Sequence, residues 1–440
     1  MKTLQKGKFK FIDYLLLISF FAFALRIFFI FPSLSNPQNF LRLDSGGFVP
    51  SSPVFDWGAR APLYSAVMWI FERIPGDFCL LAAIFGVIVS SASVLVIGLI
   101  AREYCKSEKA GLFAAVLMML NITSIGVAPL ILSDSFFAFW VGLQIFFVVR
   151  FYCRGGVKNL ILAIVFGCAG TLTRAVNLPV MLVSMPILIL LREREKRKQL
   201  QYLGLNYICL ILAIVPFCVV NYVRVNSFSL EYNSAKALIH NASAIIAHAE
   251  KRPTDEVLAQ EVSWVEKFEN SIGERNKRIL RRYLEIVDKY PVSFVITHFP
   301  QILIMVPDGA SFCENMGITQ GDRGTLSVIR QYGILAGIRH YFGDKTCEAI
   351  LVFAPLLLVT LIGYVGCLIE LIDSVCHKKY YPILIFLFFS LIYVVLPGPV
   401  IMPRYHLPSL FLIFVFSSNV LVMLGERMRK ECQGECISLL

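Results

Sequence analysis

Long apolar runs restrict this chain to one kind of fold. The run over 11–31 is interrupted only by Asp13 and Arg26, and a helix of that length reaches about 31 Å, the thickness of a hydrocarbon core. Hydrophobic residues make up 57% of the sequence and charged residues 16%, which is not the composition of a soluble globular domain. We therefore predict an all-α membrane protein.

The apolar runs predict about ten transmembrane helices or more. They lie at 11–31, 78–100, 110–128, 133–150, 158–173, 176–191, 203–223, 349–372, 380–397 and 407–424. The first run is too long for the apolar part of a signal peptide, and no small-residue cleavage site follows it, so we interpret it as a retained first span. Arg26 within it is an intramembrane charge, for which we expect structural pairing or snorkelling.

The spans divide the chain into three predicted parts. These are a transmembrane bundle over 1–223 with a first external loop over 32–77, an external or interfacial helical segment over 224–348, and further transmembrane helices over 349–440. The helix that opens at Pro62 is too short to span, so we expect it to lie in the interface. Within the second part, the apolar periodicity of 254–289 predicts an amphipathic helix pair or one long helix. The 15-residue apolar run over 292–306 is expected to be re-entrant or interfacial.

Positive charge is distributed unevenly between the connections. One set holds twenty basic residues: Lys2, Lys6, Lys8, Lys10, Arg102, Lys106, Lys109, Arg150, Arg154, Lys158, Arg192, Arg194, Lys196, Arg197, Lys198, Lys378, Lys379, Arg427, Arg429 and Lys430. The other set holds five: Arg42, Arg60, Arg73, Arg174 and Arg404. The positive-inside rule then predicts that both termini are cytoplasmic.

The net charge of +11 therefore reflects topology. The segment 224–348 is balanced, with 15 basic and 15 acidic residues, so it lacks the basic surface of a nucleic-acid-binding domain. The 12 cysteines contain no CxxC pair, and a zinc or redox motif is unsupported. Cys313 and Cys347 both lie in this segment and are candidates for one disulfide in an oxidising compartment.

The first external loop carries more polar chemistry than a connection needs. Its sequence over 41–64 is LRLDSGGFVPSSPVFDWGARAPLY, whose glycines and prolines exclude a plain helix. The predicted topology places seven charged or titratable residues on the same face of the membrane: Asp44, Asp56, Arg60, Asp134, Arg174, Arg404 and His406. Because guanidinium groups grip phosphate and carboxylates accept protons, we predict a reaction on a lipid-linked phosphate at this surface.

Five stretches in this order carry a family resemblance: RLDSGGF with ARAPLY, ILSDSFFAF, GTLTRAVNLP, VPFCVVNYVRVNSF and MPRYHLP. They resemble the membrane glycosyltransferases of the GT-C fold, in particular the protein-mannosyltransferase-like and aminoarabinose-transferase-like group. The chain departs from that pattern at Ser45, Phe48, Ala61 and His406. The resemblance implies a GT-C bundle with interfacial helices and a catalytic base at Asp44.

The function expected from this resemblance is an inverting transfer of a hexose or pentose. A polyprenyl phosphate of undecaprenyl or dolichyl type would carry the sugar, and the acceptor would be a hydroxyl or amine of a lipid, glycan or protein. Asp44 would be the general base and Asp134 a second catalytic residue, with Arg60, Arg174 and Arg404 binding the donor phosphate. Further substrate-binding candidates are Asp56, Tyr64, Tyr405 and His406. No cofactor is required, and Asp44 and Asp134 are candidate ligands for a shared Mg²⁺ or Mn²⁺.

Other interpretations of these residues remain open. Asp44 before two glycines suits a turn, Asp134 suits a helix cap, and the arginines suit snorkelling to headgroups. A lipid-linked sugar transporter or flippase is the chief alternative function, and an oligosaccharide polymerase or ligase is another. We expect a bacterial plasma membrane with the site on its extracytoplasmic side, or else the endoplasmic reticulum, and no nucleic-acid partner.

Overall fold

A computed structural model describes residues 10–266, 271–298, 309–316, 325–343, 346–400 and 402–432. Within these ranges the regular elements are helices. They are α1 Phe11–Ile30, α2 Pro62–Phe71, α3 Phe78–Cys105, α4 Glu108–Met119, α5 Ile122–Val127, α6 Asp134–Arg154, α7 Val157–Thr173, α8 Met185–Arg192, α9 Lys196–Val225, α10 Ala235–Glu250, α11 Thr254–Glu266, α12 Ile272–Lys289, α13 Pro291–His298, α14 Gly309–Asn315, α15 Thr325–Tyr332, α16 Ile334–Phe342, α17 Thr346–Cys376, α18 Tyr380–Phe386, α19 Ile392–Val395 and α20 Leu410–Cys432.

Seven helical segments among the described residues are long and apolar enough to cross a membrane. They are Phe11–Ser33, Phe78–Cys105, Asp134–Arg154, Ala175–Arg192, Lys196–Val225, Ile350–Cys376 and Pro403–Arg429. Pro62–Phe71, Val157–Thr173 and Tyr380–Val395 are shorter apolar helices. The predicted all-α polytopic fold is confirmed.

The expected span over 110–128 is divided into two helices, α4 and α5. The chain turns at Asn121, whose backbone is extended and whose Oδ1 accepts a hydrogen bond from the Ser124 amide at 2.9 Å. An asparagine in this position caps a new helix rather than continuing the old one.

Small residues allow the bundle helices to pack closely. A Cβ atom on Gly98 of α3 would lie 3.1 Å from the carbonyl oxygen of Gly111 on α4, and one on Gly111 would lie 2.8 Å from the Gly98 oxygen. The two backbones therefore touch at a distance that a larger side chain would forbid. Close approach of this kind is how helices associate where lipid supplies no hydrophobic drive.

Arg26 is fully buried inside the bundle. It donates from Nε to Ser90 Oγ at 2.9 Å, from one Nη to Ser124 Oγ at 2.8 Å and from the other to the Ala22 carbonyl at 3.1 Å. These bonds tie α1 to α3 and α5. The structural pairing expected for this intramembrane charge is what the structure shows.

The segment after α9 is helical, as the sequence predicts. The amphipathic pattern of 254–289 forms the pair α11 and α12, and α10 packs against both. The first part of 292–306 lies in α13, and the rest of that run falls outside the described residues. Cys313 is buried and Cys347 exposed, and both are free thiols, so the suggested disulfide is not present.

Gly58 joins the first external loop to the segment after α9. Its φ is +99°, and a Cβ atom there would lie 2.0 Å from Asn221 Oδ1. The Gly58 carbonyl accepts from the Tyr232 amide at 3.0 Å. The Asn221 amide group in turn donates to the carbonyls of Ser229 and Leu230 at 2.8 and 3.2 Å. Glycine is required here by both its backbone conformation and the space available.

Gly58→Ala is expected to lower the melting temperature of the purified protein in detergent. The left-handed backbone alone costs about 1–3 kcal/mol for a residue with a side chain, and the contact with Asn221 adds to it. The matched control is Gly204→Ala in α9, where a new Cβ meets nothing within 4 Å and alanine favours the helix. An equal melting temperature for the two variants would contradict this account.

Candidate active site

A small polar cavity lies where the first external loop meets the ends of several helices. Its volume is about 60 Å³, and its lining is Asp44, Phe48, Arg60, Ala61, Leu132, Ser133, Asp134, Thr173, Arg174, Glu231, Arg404 and Tyr405. The set contains three carboxylates and three guanidinium groups. The cavity is therefore strongly polar but nearly neutral in charge.

Arg404 lies between two of the three carboxylates. One Nη atom is 2.5 Å from Asp44 Oδ2, and its Nε atom is 3.8 Å from Asp134 Oδ2. Arg60 approaches the other oxygen of Asp44 at 3.8 Å, and Arg174 forms an ion pair with Asp134. These contacts link residues that are up to 360 positions apart in the chain.

The local backbone explains how these side chains reach the cavity. Asp134 is the first residue of α6, where a carboxylate also interacts favourably with the helix dipole. Arg174 follows the last residue of α7 in extended conformation, and Arg404 lies in a short 3₁₀ segment, Pro403–Ser409. Arg60 precedes Pro62, which begins α2. Each charge therefore lies at a helix end.

Two of the guanidinium groups keep unused donors. The buried Nε atoms of Arg60 and Arg404 have no hydrogen-bond partner among the described residues. Gly47 makes room for Arg60, since a Cβ atom at Gly47 would lie 3.2 Å from that Nε. Buried donors without a partner are costly, so these positions suit an anion that arrives from outside.

Aromatic rings help to hold the arginines in position. The Cζ atoms of Arg174 and Arg404 lie 4.9 and 5.6 Å from the centre of the Tyr405 ring, and Arg60 lies 5.5 Å from the Phe48 ring. Cation–π contacts at these distances are attractive. Burial lowers the pKa of the Arg174 guanidinium, but Asp134 raises it, and the net pKa is above the ordinary value.

Six of the nine residues that the sequence singled out line this cavity. The six are Asp44, Arg60, Asp134, Arg174, Arg404 and Tyr405. Their assigned roles in catalysis and donor binding stay predictions, but the convergence of residues from four parts of the chain is a finding.

The other three residues lie outside the cavity. Asp56 pairs with Arg224 at 2.8 Å. The Tyr64 ring is buried against Phe48, and burial, with a contribution from Asp134, raises the pKa of its hydroxyl. His406 is fully buried, with Nε2 3.3 Å from the Tyr364 hydroxyl. None of the three belongs to the lining of the cavity.

Glu231 is the cavity carboxylate that sequence reasoning missed. It follows the end of α9, and its Oε2 accepts a hydrogen bond from the Ala61 amide at 3.2 Å. Burial raises the pKa of Glu231, while Arg60, Arg174 and the Ala61 amide lower it, and the net shift is upward. The available signal was an acid just beyond the outer end of a predicted span, the same signal that singled out Asp134.

An apolar groove adjoins the polar cavity. Its volume is about 300 Å³, and its lining is Trp57, Gly58, Pro62, Leu63, Ala66, Leu172, Phe217, Val220, Asn221, Arg224 and Leu230. Pro62, Leu172 and Leu230 of the groove are chain neighbours of the cavity residues Ala61, Thr173 and Glu231. The two spaces are therefore adjacent at three places in the chain: 61–62, 172–173 and 230–231.

The residues present do not fit a divalent cation. Asp44 and Asp134, the pair considered for such an ion, already share the Arg404 guanidinium. Among the described residues, no group of three or more His, Cys, Asp or Glu side chains is arranged to hold a metal. A positive charge thus already lies where a shared metal ion would have to be.

Comparisons with known proteins agree with this architecture. A family model described as dolichyl-phosphate-mannose-protein mannosyltransferase matches residues 59–219. No curated protein sequence matches the chain.

Among solved structures, the apo oligosaccharyltransferase of Archaeoglobus fulgidus matches with a TM-score of 0.52 and 15% identity over 99% of this chain and 53% of that one. The same enzyme tethered to an acceptor peptide matches with a TM-score of 0.50 and 14% identity over 98% of this chain and 52% of that one. Its complex with Zn and sulfate matches with a TM-score of 0.50 and 14% identity over 94% of this chain and 49% of that one. The chain spans about half the length of the solved structures it matches.

The fold is therefore that of the GT-C membrane glycosyltransferases. The GT-C fold expected from the sequence is confirmed. The family-model match includes Arg60, Asp134 and Arg174 of the cavity, whereas Asp44 and Arg404 lie outside the matched residues.

A double-mutant cycle on Asp134 and Arg174 is expected to show coupling. Asp134 is 4% exposed and Arg174 25%, so removing one partner leaves the other poorly solvated, and the coupling in unfolding free energy should be about 0.5–3 kcal/mol. The variants are Asp134→Asn, Arg174→Gln and their combination, compared by thermal unfolding. The exposed pair Glu195 and Lys198 serves as control and should show no measurable coupling. Additive effects at Asp134 and Arg174 would contradict the ion pair.

Proposed function

We propose that this protein transfers a sugar from a polyprenyl-phosphate donor to an acceptor hydroxyl or amine at the membrane surface. One observation carries the proposal. A cavity with three guanidinium groups, two of them with unused Nε donors, opens beside an apolar groove of about 300 Å³. A ligand that satisfies both spaces has an anionic head and an apolar tail, and a polyprenyl phosphate has this form.

The donor's phosphate and lipid tail have natural places in this arrangement. The phosphate would contact Arg60, Arg174 and Arg404, whose planar groups bind phosphate oxygens in pairs. The first isoprenyl units would lie in the groove against Pro62, Leu172 and Phe217. The family whose model matches residues 59–219 is named for a dolichyl-phosphate sugar, which agrees with a lipid-linked donor.

The transfer requires the protein to stabilise the leaving phosphate and to accept a proton from the acceptor. The leaving phosphate gains negative charge as its bond to the anomeric carbon breaks, and guanidinium groups already in position stabilise that charge. A carboxylate must accept the proton of the attacking hydroxyl or amine, and a single attack from the opposite side inverts the anomeric centre. The sequence-based candidate for the base is Asp44, which lines the cavity beside Arg60 and Arg404.

A lipid-linked sugar transporter is less well supported than an enzyme. A transport path would place the binding residues near the middle of the spans, whereas the cavity residues lie at helix ends: Asp134 begins α6, and Arg174 follows α7. At the opposite ends of α6 and α3, Arg154 pairs with Glu103, within the basic set that predicts the cytoplasmic side. We propose that the cavity lies on the extracytoplasmic side of a bacterial plasma membrane, with both termini cytoplasmic.

The acceptor is proposed only as a class. The matching oligosaccharyltransferase was solved with an acceptor peptide, but this chain covers about half of that protein. A lipid, a glycan and a protein therefore all remain in the proposal, as does a ligase or polymerase reaction that would use the same cavity.

Loss of one phosphate-binding arginine is expected to weaken donor binding. Arg60→Gln removes a charge-assisted hydrogen bond, and affinity for a synthetic polyprenyl phosphate should fall about tenfold, measured by tryptophan fluorescence in detergent. Arg73→Gln is the control, because Arg73 is exposed, lies after α2 and stacks on Trp69. Equal affinity for both variants and the wild type would overturn the proposed phosphate site.

Turnover is expected to persist in a chelator, since Arg404 lies between Asp44 and Asp134 and supplies the positive charge there. Purified protein dialysed against EDTA should release polyprenyl phosphate at the rate of untreated protein. Arg404→Ala opens this position and should lose activity both with and without added Mg²⁺ or Mn²⁺. A wild-type rate that falls in EDTA and returns with either ion would contradict the interpretation.

A further inference from the structure

The three carboxylates of the cavity differ in how many guanidinium groups contact them. Asp44 is contacted by Arg404 at 2.5 Å and Arg60 at 3.8 Å, and Asp134 is contacted by Arg174 and Arg404. Glu231 has no ion pair within 4 Å among the described residues, and its carboxylate accepts one neutral hydrogen bond, from the Ala61 amide. Of the three cavity carboxylates, it is the one that has no guanidinium group within ion-pair distance among the described residues.

Glu231 also faces a second space that the other two carboxylates do not line. This wider groove has a volume of about 450 Å³ and lies between the segment after α9 and the first turns of α10 and α12. Its polar lining includes Asn226, Ser229, Ser234, Asn276 and Lys277. Glu231 is the residue that the linings of the groove and the cavity have in common.

The charge environment of Glu231 suits proton transfer. Arg60, Arg174 and Arg404, with Asp44 and Asp134, face it from the cavity, and Lys277 faces it from the groove. Burial raises the pKa of Glu231 above that of an ordinary glutamate, against the opposing effect of Arg60 and Arg174. A base works best when its pKa is close to the operating pH, so an upward shift from the usual acidic value makes this carboxylate a better proton acceptor.

We propose that Glu231, rather than Asp44, is the catalytic base of the transfer, and that the groove beside it admits the acceptor. The inference rests on the proposed function. As the acceptor oxygen or nitrogen forms its bond to the anomeric carbon, its proton passes to a Glu231 oxygen. The carbon–oxygen bond to the phosphate breaks, and its electron pair leaves on the polyprenyl phosphate. Asp44 is then a positioning residue that holds Arg404 and Arg60 against that phosphate.

The two carboxylates should fail in different ways when they are replaced. Glu231→Gln keeps the hydrogen bond from the Ala61 amide but cannot accept a proton, so kcat should fall by about 10²–10⁴ with donor affinity within twofold of the wild type. Asp44→Asn frees Arg404 and Arg60, so its main effect should be weaker donor binding. Glu256→Gln on α11, an exposed glutamate paired with Arg252, is the matched control and should behave as wild type.

The experiment measures polyprenyl phosphate released by full-length protein in lipid nanodiscs. The donors are a panel of synthetic short-chain polyprenyl-phosphate hexoses and pentoses, and water serves as the acceptor. In the wild type the rate should fall on the acidic side as Glu231 becomes protonated, because only the carboxylate form accepts a proton. Asp44→Asn should keep this acidic limb, and Glu231→Gln should lose it. Sodium formate should restore part of the rate to Glu231→Ala and none to Asp44→Ala.

The outcomes separate this inference from the proposal on which it rests. A wild-type rate and acidic limb in Glu231→Gln would overturn the assignment of the base and leave the transferase intact. Loss of the acidic limb in Asp44→Asn alone would return the role to Asp44. Wild-type protein that neither binds polyprenyl phosphate nor releases it from any donor would overturn the proposed function itself.

Discussion

Opposite charges held at helix ends are the interaction on which this site depends. The Arg404 guanidinium contacts both Asp44 and Asp134, so one side chain joins the first external loop, the start of α6 and the segment before α20. A charge withdrawn from water near a membrane is costly unless it is paired. The pairing therefore holds in place a loop that contains only short 3₁₀ turns before α2.

The ion pairs of the cavity leave two guanidinium Nε atoms without hydrogen-bond partners among the described residues, and these atoms are candidates to bind an anion. Three carboxylates and three guanidinium groups balance one another, yet the Nε atoms of Arg60 and Arg404 remain without hydrogen-bond partners among the described residues. The cavity is thus nearly neutral overall but retains guanidinium donors without hydrogen-bond partners. Donors that are already oriented stabilise a developing negative charge without further reorganisation. The apolar groove beside them restricts which anions can use those donors.

Roles within the cavity follow from contacts rather than from residue type. Asp44 and Asp134 are each engaged by two guanidinium groups, whereas Glu231 accepts a backbone hydrogen bond and faces the wider groove. The same chemical group can therefore hold a cation in one position and accept a proton in another. Gly58 lies outside the cavity but helps to position Glu231. Its close contact with Asn221 packs the first external loop against the segment that carries Glu231.

The sequence alone determined the all-α polytopic fold, because a hydrocarbon core admits only segments whose backbone is internally hydrogen-bonded. It also predicted one membrane face for Asp44, Asp56, Arg60, Asp134, Arg174, Arg404 and His406, since charges at the ends of alternating spans share a side. Tertiary structure decided the rest. Spacing along a chain shows at which helix end a residue lies but not which neighbours surround that end. For this reason Asp56, Tyr64 and His406 lie outside the cavity, and Glu231 lies in its lining.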